Sequence, residues 1–227
     1  MLNFVLAESA LELVPKEIRR QPAVTSDARR RQKDPSEILL DRSFDHSAMA
    51  KLKDAEKRGR PDLVHVALLN VTGTPLYLDG SVRVFVHTYD DVVLEIAEKT
   101  RVPKNYLRFR GLMEKVLVER PNQGMIRVHP MAVKELVRMI SSDEVIGLSV
   151  QGKTTSLEEL AKKVIASKRP SVIVGGFPHG HFSAGTLSVI DRLVRIGAQP
   201  LEAHVVASRV IYEVEKAERG STIKSAS

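Results

Sequence analysis

The sequence predicts an α/β fold, because apolar strand-like runs and amphipathic helical runs alternate at both ends of the 227-residue chain. The chain is long enough to bury one sizeable core. It contains no apolar run that could span a membrane, and acidic residues directly follow its first apolar residues, the reverse of a signal peptide. We therefore expect one domain with no membrane partner.

The N-terminal elements begin with a strand at residues 2–7 that turns into a helix. A polar, basic loop with the sequence QPAVTSDARRRQKDPSE comes next. It is followed by the apolar run ILLD and by a helix through AMAKLKDAEKR.

The middle of the chain changes character and predicts a β-rich insertion from roughly residue 70 to residue 120. Strands are expected at DLVHVALLNV, at LYL and SVRVFVHT, and at VVLEI, with Asp79 and Gly80 forming a hairpin turn. Pro103 is then expected to open a helix through NYLRFRGLMEKVLVER.

The alternation of helices and strands resumes in the C-terminal part. The expected order is a helix at MAVKELVRMI, a strand at VIGLSV, and a helix at SLEELAKKVIAS with Ser156 and Glu159 as a capping box. The strand SVIVGG, the short apolar segment LVRIG and a final helix at about residues 201–217 complete the prediction.

Composition narrows the possible partners. The net charge of +7 is compatible with plain solubility, but it also favours a polyanionic partner such as nucleic acid. Aromatic residues make up only 4% of the chain, which argues against stacking platforms for single strands and favours a basic groove. The chain has no cysteine, which excludes disulfides and thiolate chemistry and fits a cytoplasmic location.

Two motifs point to chemistry that we disfavour. Residues 147–154, GLSVQGKT, match the G-x-x-x-x-G-K-[ST] pattern of phosphate-binding loops. However, Leu-Ser-Val continues a strand, and the next strand ends without the Asp that would hold Mg²⁺. His179 and His181 are spaced so that both could bind one metal ion. However, no Cys or carboxylate lies close in sequence to complete the set of ligands, so we expect no metal.

The stretch SVIVGGFPHG indicates a ligand site. Gly175, Gly176 and Gly180 follow a buried strand but do not form the G-x-G-x-x-G pattern of dinucleotide-binding proteins. They would expose backbone groups to a flat, polar ligand such as an adenine or a ribose. A tight turn at a sheet edge would explain one of the glycines more easily than all three.

Basic residues are organised around the predicted central helix. Arg101, Lys104, Arg108 and Lys115 fall on one side of it at the helical repeat, and an apolar side opposes them. The apolar side consists of Tyr106, Phe109, Met113, Val116 and Leu117. An ordinary solvated face is one interpretation of the basic side, and phosphate tracking is the other, since most of it lacks acidic partners. Arg60 and Asp62 stand two apart at an expected strand start.

Five segments in order carry a family resemblance: KRGRPDLVHVALLN, VRVFVHT, RVPKNYLRFRGLMEKVL, VGGFPHG and IGAQPLEAHVVASRVIYEVE. They resemble the ribosome-biogenesis pseudouridine-N(1)-methyltransferases of the SPOUT, or α/β-knot, class in their short archaeal form. The resemblance covers nearly the whole chain. It implies a single SPOUT methyltransferase domain over residues 1–227 with a deep trefoil knot at about residues 145–217. It also implies a homodimer.

The resemblance further implies that S-adenosylmethionine binds at the knot and donates a methyl group to N(1) of a pseudouridine in small-subunit rRNA. Ribosomal or assembly proteins are further candidate partners. The cofactor contacts carried over to this chain are Leu148, Gly175, Gly180, Ile196, Gly197, Ala198, Gln199, Pro200 and Leu201. A non-catalytic rRNA-binding assembly factor with the same fold is the alternative function.

The rRNA contacts implied by the resemblance are Arg60, Arg101, Lys104 and Arg108, with Asp62 pairing with Arg60. Lys104 departs from the family pattern, where Arg is familiar, and so loses the bidentate fork. Arg60 and Asp62 are the candidate catalytic residues. We favour an orienting role for Asp62 over that of a general base, because an Arg partner would keep the pKa of its carboxyl low.

Overall fold

The computed structural model describes residues 1–225, with side-chain environments for residues 1–219. Its strands form one seven-stranded sheet in the order β4-β3-β2-β1-β6-β5-β7. The strands are β1 (Leu2–Ser9), β2 (Val82–Thr88), β3 (Val92–Ile96), β4 (Ile126–Pro130), β5 (Glu144–Thr154), β6 (Pro170–Gly175) and β7 (Arg192–Arg195). The helices are α1 (Pro22–Arg30), α2 (Arg42–Met49), α3 (Pro61–Thr72), α4 (Pro75–Leu78), α5 (Tyr106–Glu119), α6 (Val133–Met139), α7 (Leu157–Ala166), α8 (Ala184–Leu187) and α9 (Ala203–Ser225).

The sheet has a parallel part and an antiparallel part. Strands β2, β1, β6, β5 and β7 run parallel to one another, whereas β3 is antiparallel to both β2 and β4. The central strand β1 is buried along its whole length. Its near-continuous apolar sequence is typical of a parallel strand that is covered on both faces. No helix of the described residues is long and apolar enough to cross a membrane.

Helices cover both faces of the sheet. On one face, side chains such as Phe4 and Val84 pack in a large core with the buried sides of α3, α5, α7 and α9. On the other face, Val5 and Phe85 pack with Leu136 of α6. A separate small core lies under α1 and α2.

Several predicted elements are confirmed. The first strand is present and extends to Ser9, and the strands VRVFVHT, VVLEI and SVIVGG and the helices α6 and α7 lie where the sequence placed them. The final helix begins at Ala203 and continues past the predicted end at residue 217. The predicted capping box is only half formed. Ser156 Oγ accepts a hydrogen bond from the Glu159 N–H at 3.1 Å, but the Glu159 carboxylate accepts one from Thr155 Oγ1.

The predicted strand at DLVHVALLNV is wrong, because this segment forms α3. Most of its residues are buried, since the helix packs against the sheet, α5 and α9. A helix buried on most sides has no polar stripe, so its apolar run resembles that of a buried strand. Pro61 at its first position was the available clue to a helix.

The predicted hairpin at Asp79 and Gly80 is also wrong. LYL belongs to α4, and the Gly80 N–H donates to the carbonyl oxygen of Tyr77 in a turn that leads into β2. The hairpin of this region joins β2 to β3 instead, and Asp91 in its turn has a φ of 56°. Strand β2 pairs directly with β1, so the middle of the chain shares the main sheet.

Three boundaries in the first half of the chain also differ from the prediction. No helix follows β1 directly, and the predicted basic loop contains α1, which starts at Pro22. Helix α2 ends at Met49, so AMAKLKDAEKR is mostly non-helical apart from a short 3₁₀ turn at Ala55–Lys57. Helix α5 starts at Tyr106 rather than Pro103, because the Asn105 side chain caps it by accepting from the Arg108 N–H.

Candidate functional site

A cavity of about 630 Å³ opens beside the carboxyl ends of β6 and β7 and the middle of β5. This is the edge of a parallel sheet at which ligands usually bind. The residues predicted as cofactor contacts line it, with the exception of Ala198: Leu148, Gly175, Gly180, Ile196, Gly197, Gln199, Pro200 and Leu201. Segments that are far apart in the sequence therefore meet in one cavity.

The three glycines at and after the end of β6 have different surroundings. A Cβ on Gly176 would lie 2.9 Å from Cα of Ser9 and still closer to its hydroxyl. A Cβ on Gly175 would lie 2.8 Å from the ring of Phe177. Gly180 has a φ of 101°, a conformation that residues with a side chain rarely adopt. Close approach to the backbone of Ser9 explains Gly176 and backbone conformation explains Gly180, whereas a Cβ on Gly175 would meet only the end of the Phe177 ring.

The segment GLSVQGKT is a strand and not a phosphate-binding loop. Strand β5 continues through it to Thr154. A Cβ on Gly152 would lie 2.5 Å from backbone atoms of Val194, so this glycine allows the close approach of β7. The sequence-based argument against a nucleotide hydrolase is thus supported by the backbone itself.

The cavity wall is formed mainly by apolar side chains and backbone, with few ionisable groups. Arg195 donates a hydrogen bond to Thr154 Oγ1 at 2.7 Å, and Glu202 lies at the start of α9. His179 and His181 also line the cavity. Within the described residues, no group of three His, Cys, Asp or Glu side chains could hold a metal ion.

Arg60 and Asp62 form the ion pair that the family resemblance implied. Arg60 Nε and Nη2 donate to the two carboxylate oxygens of Asp62, each at 2.8 Å. The pair stands at the start of α3, and not at a strand start, with Arg60 as the N-cap residue. Burial alone would raise the pKa of Asp62, but the hydrogen bonds and charge of Arg60 outweigh it and lower that pKa. Arg60 also lines the cavity.

The predicted basic stripe on one helix is wrong in its geometry. Arg101 and Lys104 precede α5, and only Arg108 and Lys115 lie on it. Lys115 approaches Glu119 at 3.9 Å, whereas Arg101, Lys104 and Arg108 are exposed and form no ion pair within the described residues. The apolar side of the helix is as predicted, apart from the partly buried Tyr106: Phe109, Met113, Val116 and Leu117 are buried.

Contacts between α3 and α5 bring the basic residues towards the Arg60–Asp62 pair. His65, one turn into α3, contacts the carbonyl oxygen of Pro103 through Nε2 at 2.6 Å and stacks on Phe109. The Tyr106 hydroxyl donates to Asp41 at 2.5 Å. Burial and this hydrogen bond raise the pKa of Tyr106, with a smaller contribution from the charge of Asp62. The starts of the two helices are therefore neighbours.

Sequence reasoning missed several residues at the cavity. Phe177 and Pro178 line it from within the glycine-rich stretch, and Val206 lines it from α9. Glu8 and Lys57 do not line the cavity, but they contact the loop that does. The unusual stretch SVIVGGFPHG could have indicated the first two. Lys57 begins the family segment KRGRPDLVHVALLN, but nothing in the local sequence indicates that Lys57 or Glu8 contacts this loop.

Comparisons with known proteins give a consistent result. A family model described as EMG1/NEP1 methyltransferase matches residues 4–215. The chain is 40% identical to the ribosomal RNA small subunit methyltransferase Nep1 of Staphylothermus marinus over 219 residues, which cover 94% of this chain and 95% of that protein. It is also 40% identical to the protein of the same name from Thermococcus sibiricus, with 95% and 98% of the two chains covered. The crystal structure of Archaeoglobus fulgidus Nep1 bound to S-adenosylhomocysteine matches with a TM-score of 0.85 and 37% identity, covering 95% of this chain and 98% of that one.

Proposed function

Because the chain belongs to the EMG1/NEP1 methyltransferase family, we propose that it methylates N(1) of a pseudouridine in small-subunit rRNA with S-adenosylmethionine as the donor. The predicted family and the predicted SPOUT-type α/β fold class are confirmed by the family match and the structural match. The trefoil knot at about residues 145–217, the β-rich insertion and the single domain over residues 1–227 stay predictions. The observation that carries the proposal is the convergence of the predicted cofactor residues on one cavity.

The cavity suits S-adenosylmethionine in size and chemistry. Its volume of about 630 Å³ lies within the usual range for small-molecule sites. Leu148, Ile196 and Val206 provide apolar surface for a flat base, and the glycine-rich loop provides backbone groups for hydrogen bonds. The related Archaeoglobus protein holds S-adenosylhomocysteine, the product of methyl donation. When bound, the cofactor supplies a methyl group on a sulfonium, and the transfer of that group needs no metal.

The exposed cations Arg101, Lys104 and Arg108 are proposed to bind rRNA phosphates. All three are positively charged and have no ion-pair partner in the described residues, so they can attract a polyanion. Arg60 belongs to both sites, because it lines the cavity and stands at the start of α3, where His65 contacts the carbonyl oxygen of Pro103 next to Lys104. It can therefore contact RNA at the place where the target base enters.

The reaction requires the protein to orient a base and exclude water. A pseudouridine carries a ring N–H where uridine has a carbon, and that nitrogen accepts the methyl group as its proton leaves. The base must leave its stack to reach a cavity of this kind. Asp62 holds the guanidinium of Arg60 through two hydrogen bonds, so we assign it an orienting role.

A homodimer is also part of the proposal, and α9 is its candidate interface. Ile211 of α9 does not contribute, because it is fully buried in the core of its own chain. Leu201 lines the cavity. Tyr212 is 63% exposed and Val205 is only partly buried, so these two residues support an interface on α9. A monomeric mass by light scattering would contradict the dimer.

A single-turnover assay tests the proposed reaction. An RNA hairpin that contains pseudouridine should be methylated, and the same hairpin with uridine should not. Calorimetric titration should give one bound S-adenosylhomocysteine per protomer. Cofactor and RNA binding without methylation would favour the alternative, a non-catalytic assembly factor of maturing small subunits. We place either function in the cytoplasm.

A further inference from the structure

One wall of the cavity is a loop that is held from outside the cavity. Residues 176–183 connect β6 to the short helix α8, and several of them line the cavity. Phe182 is buried and Phe177 packs against it with 5.8 Å between the ring centres, but residues 179–181 are exposed. The shape of this exposed part must therefore depend on contacts with other segments.

The first contact comes from a distorted position in β1. The pairing of β1 with β2 moves from Leu6 opposite Val86 to Ser9 opposite Thr88, so β1 contains one extra residue, a β-bulge. Glu8 lies in this bulge with a φ of 51°, and its N–H donates to His87 Nδ1 at 3.2 Å. Such strain in a non-glycine residue is typical of functional positions, where it aims a side chain.

The side chain of Glu8 reaches the C-terminal end of the loop. One carboxylate oxygen of Glu8 accepts a hydrogen bond from the Ser183 N–H at 2.7 Å, and the other accepts from Lys57 Nζ at 2.8 Å. Both side chains are largely buried. Burial would raise the pKa of Glu8, but the hydrogen bonds from Lys57, Thr186 and Ser183 outweigh it and lower that pKa. The carboxylate is therefore ionised at neutral pH.

Lys57 holds the middle of the same loop. Its Nζ also donates to the carbonyl oxygen of His181 and lies 4.5 Å from the centre of the Phe177 ring. A Cβ on Gly180 would lie 2.9 Å from Cε of Lys57, so the lysine chain lies directly against the glycine backbone. Together, the two side chains contact the loop at residues 177, 180, 181 and 183.

We propose that Glu8 and Lys57 are positioning residues that hold the loop at residues 176–183 in the shape that binds the cofactor. This inference rests on the proposed function of the cavity. Neither residue lines the cavity, so their effect on the cofactor passes through the backbone of the loop. Lys57 also ends the 3₁₀ turn that leads to Arg60, which links the loop to the proposed RNA contact.

The chain offers a matched control beside Lys57. Arg58 forms an ion pair with Glu12 through hydrogen bonds of 2.7 and 2.6 Å. This ion pair is at least as buried as the ion pair of Lys57 with Glu8. Its described hydrogen bonds go to Glu12 and to the carbonyl oxygen of Lys53, and not to the loop. Lys57→Met and Arg58→Met each break a buried ion pair, but only the first releases the loop.

The experiment compares S-adenosylhomocysteine affinity with stability. Calorimetry should give affinity for Lys57→Met that is weaker by about tenfold or more, the scale of lost charged hydrogen bonds, while Arg58→Met changes it by less than about threefold. Both variants should lower the urea midpoint to a similar extent. Equal losses of affinity in the two variants would overturn the inference.

A milder variant keeps the test valid if Lys57→Met does not fold. Glu8→Gln keeps the shape of the side chain but removes its charge, so it should weaken ligand binding and speed hydrogen exchange at the Ser183 amide. Unchanged exchange and unchanged affinity would also overturn the inference. A wild-type protein that binds no S-adenosylhomocysteine would instead contradict the proposed function of the cavity.

Discussion

The cavity and the basic surface, defined as Arg60, Arg101, Lys104 and Arg108, are neighbours built in opposite ways. The cavity depends on close backbone packing at glycines and on a buried ion pair behind one wall. The basic surface depends on exposed side chains, most of which have no ion-pair partner in the described residues. Ligand binding in the cavity should therefore depend on shape and be nearly independent of salt, whereas RNA binding should depend on charge and salt. Only Arg60 belongs to both regions.

The largest effect is expected from Gly176→Ala, between the cavity-lining residues Gly175 and Phe177. The new Cβ would lie 2.9 Å from Cα of Ser9, so the end of β6 must move away from β1. We expect the free energy of unfolding to fall by about 1–3 kcal/mol, the usual cost of overpacking. S-adenosylhomocysteine affinity should fall by about tenfold or more, since a shift costing over about 1.4 kcal/mol has that effect. Urea unfolding and calorimetry measure the two quantities.

Gly111→Ala is the control for this glycine. It lies within α5, and a Cβ there would meet nothing within 4 Å. Alanine should stabilise the helix by about 0.5–1 kcal/mol and leave ligand affinity unchanged. If Gly176→Ala behaved like Gly111→Ala, the cavity would not depend on close packing.

The basic surface should respond to charge removal. Arg101→Ala and Arg108→Ala should each weaken binding of a small-subunit rRNA fragment and reduce the slope of log affinity against log salt by about one unit. Ligand affinity in the cavity should not change in either variant. Lys162→Ala, an exposed lysine on α7, is the control and should leave the slope unchanged. Unchanged slopes in all three variants would mean that the basic surface faces solvent and does not contact RNA phosphates.

The same contrast explains how much could be predicted from the sequence. The cavity was predictable because glycines after a buried strand are unusual, and because the resemblance placed residues 196–201 beside them. The start of α5 was not, since the side chain of Asn105 and not Pro103 begins the helix. Arg101 and Lys104 consequently lie before the helix instead of on its face.

Two further features could not be predicted from the sequence, for physical reasons. The burial of α3 removes the polar stripe that identifies a helix, so its apolar composition was mistaken for a strand. The contacts of Glu8 with Lys57 and Ser183 join residues that are 49 and 175 positions apart in sequence. Such contacts follow from the sheet order and the bulge in β1, which no local pattern specifies.

A smaller effect is expected from Lys104→Arg, which restores the residue familiar in the family. A guanidinium can bind a phosphate through two parallel hydrogen bonds, whereas an ammonium acts as a point charge. Because Lys104 is exposed, the gain in RNA binding should be only about 0.2–1 kcal/mol. The salt slope should not change, since the charge is the same. Filter binding at two salt concentrations measures both, and weaker binding would contradict a phosphate contact at this position.

The smallest effect on turnover is expected from Asp62→Asn, which tests the junction of the two regions. Arg60 lowers the pKa of the Asp62 carboxyl. The ion pair therefore stabilises the folded protein fully above the ordinary pKa of the carboxyl, and this stabilisation is lost only as the pH falls through the lowered pKa. Asp62 is thus ionised and weakly basic between about pH 6 and about pH 8.

If Asp62 orients Arg60, the Asn of the variant keeps a hydrogen-bond acceptor of the same shape. RNA affinity should then fall by less than about fivefold, because the pair is partly exposed, and turnover at saturating RNA should be unchanged. Asp79→Asn, in an exposed turn before β2, is the control. A general base would behave differently: single-turnover methylation would fall by about 10² or more with unchanged RNA affinity, and that result would overturn the orienting role.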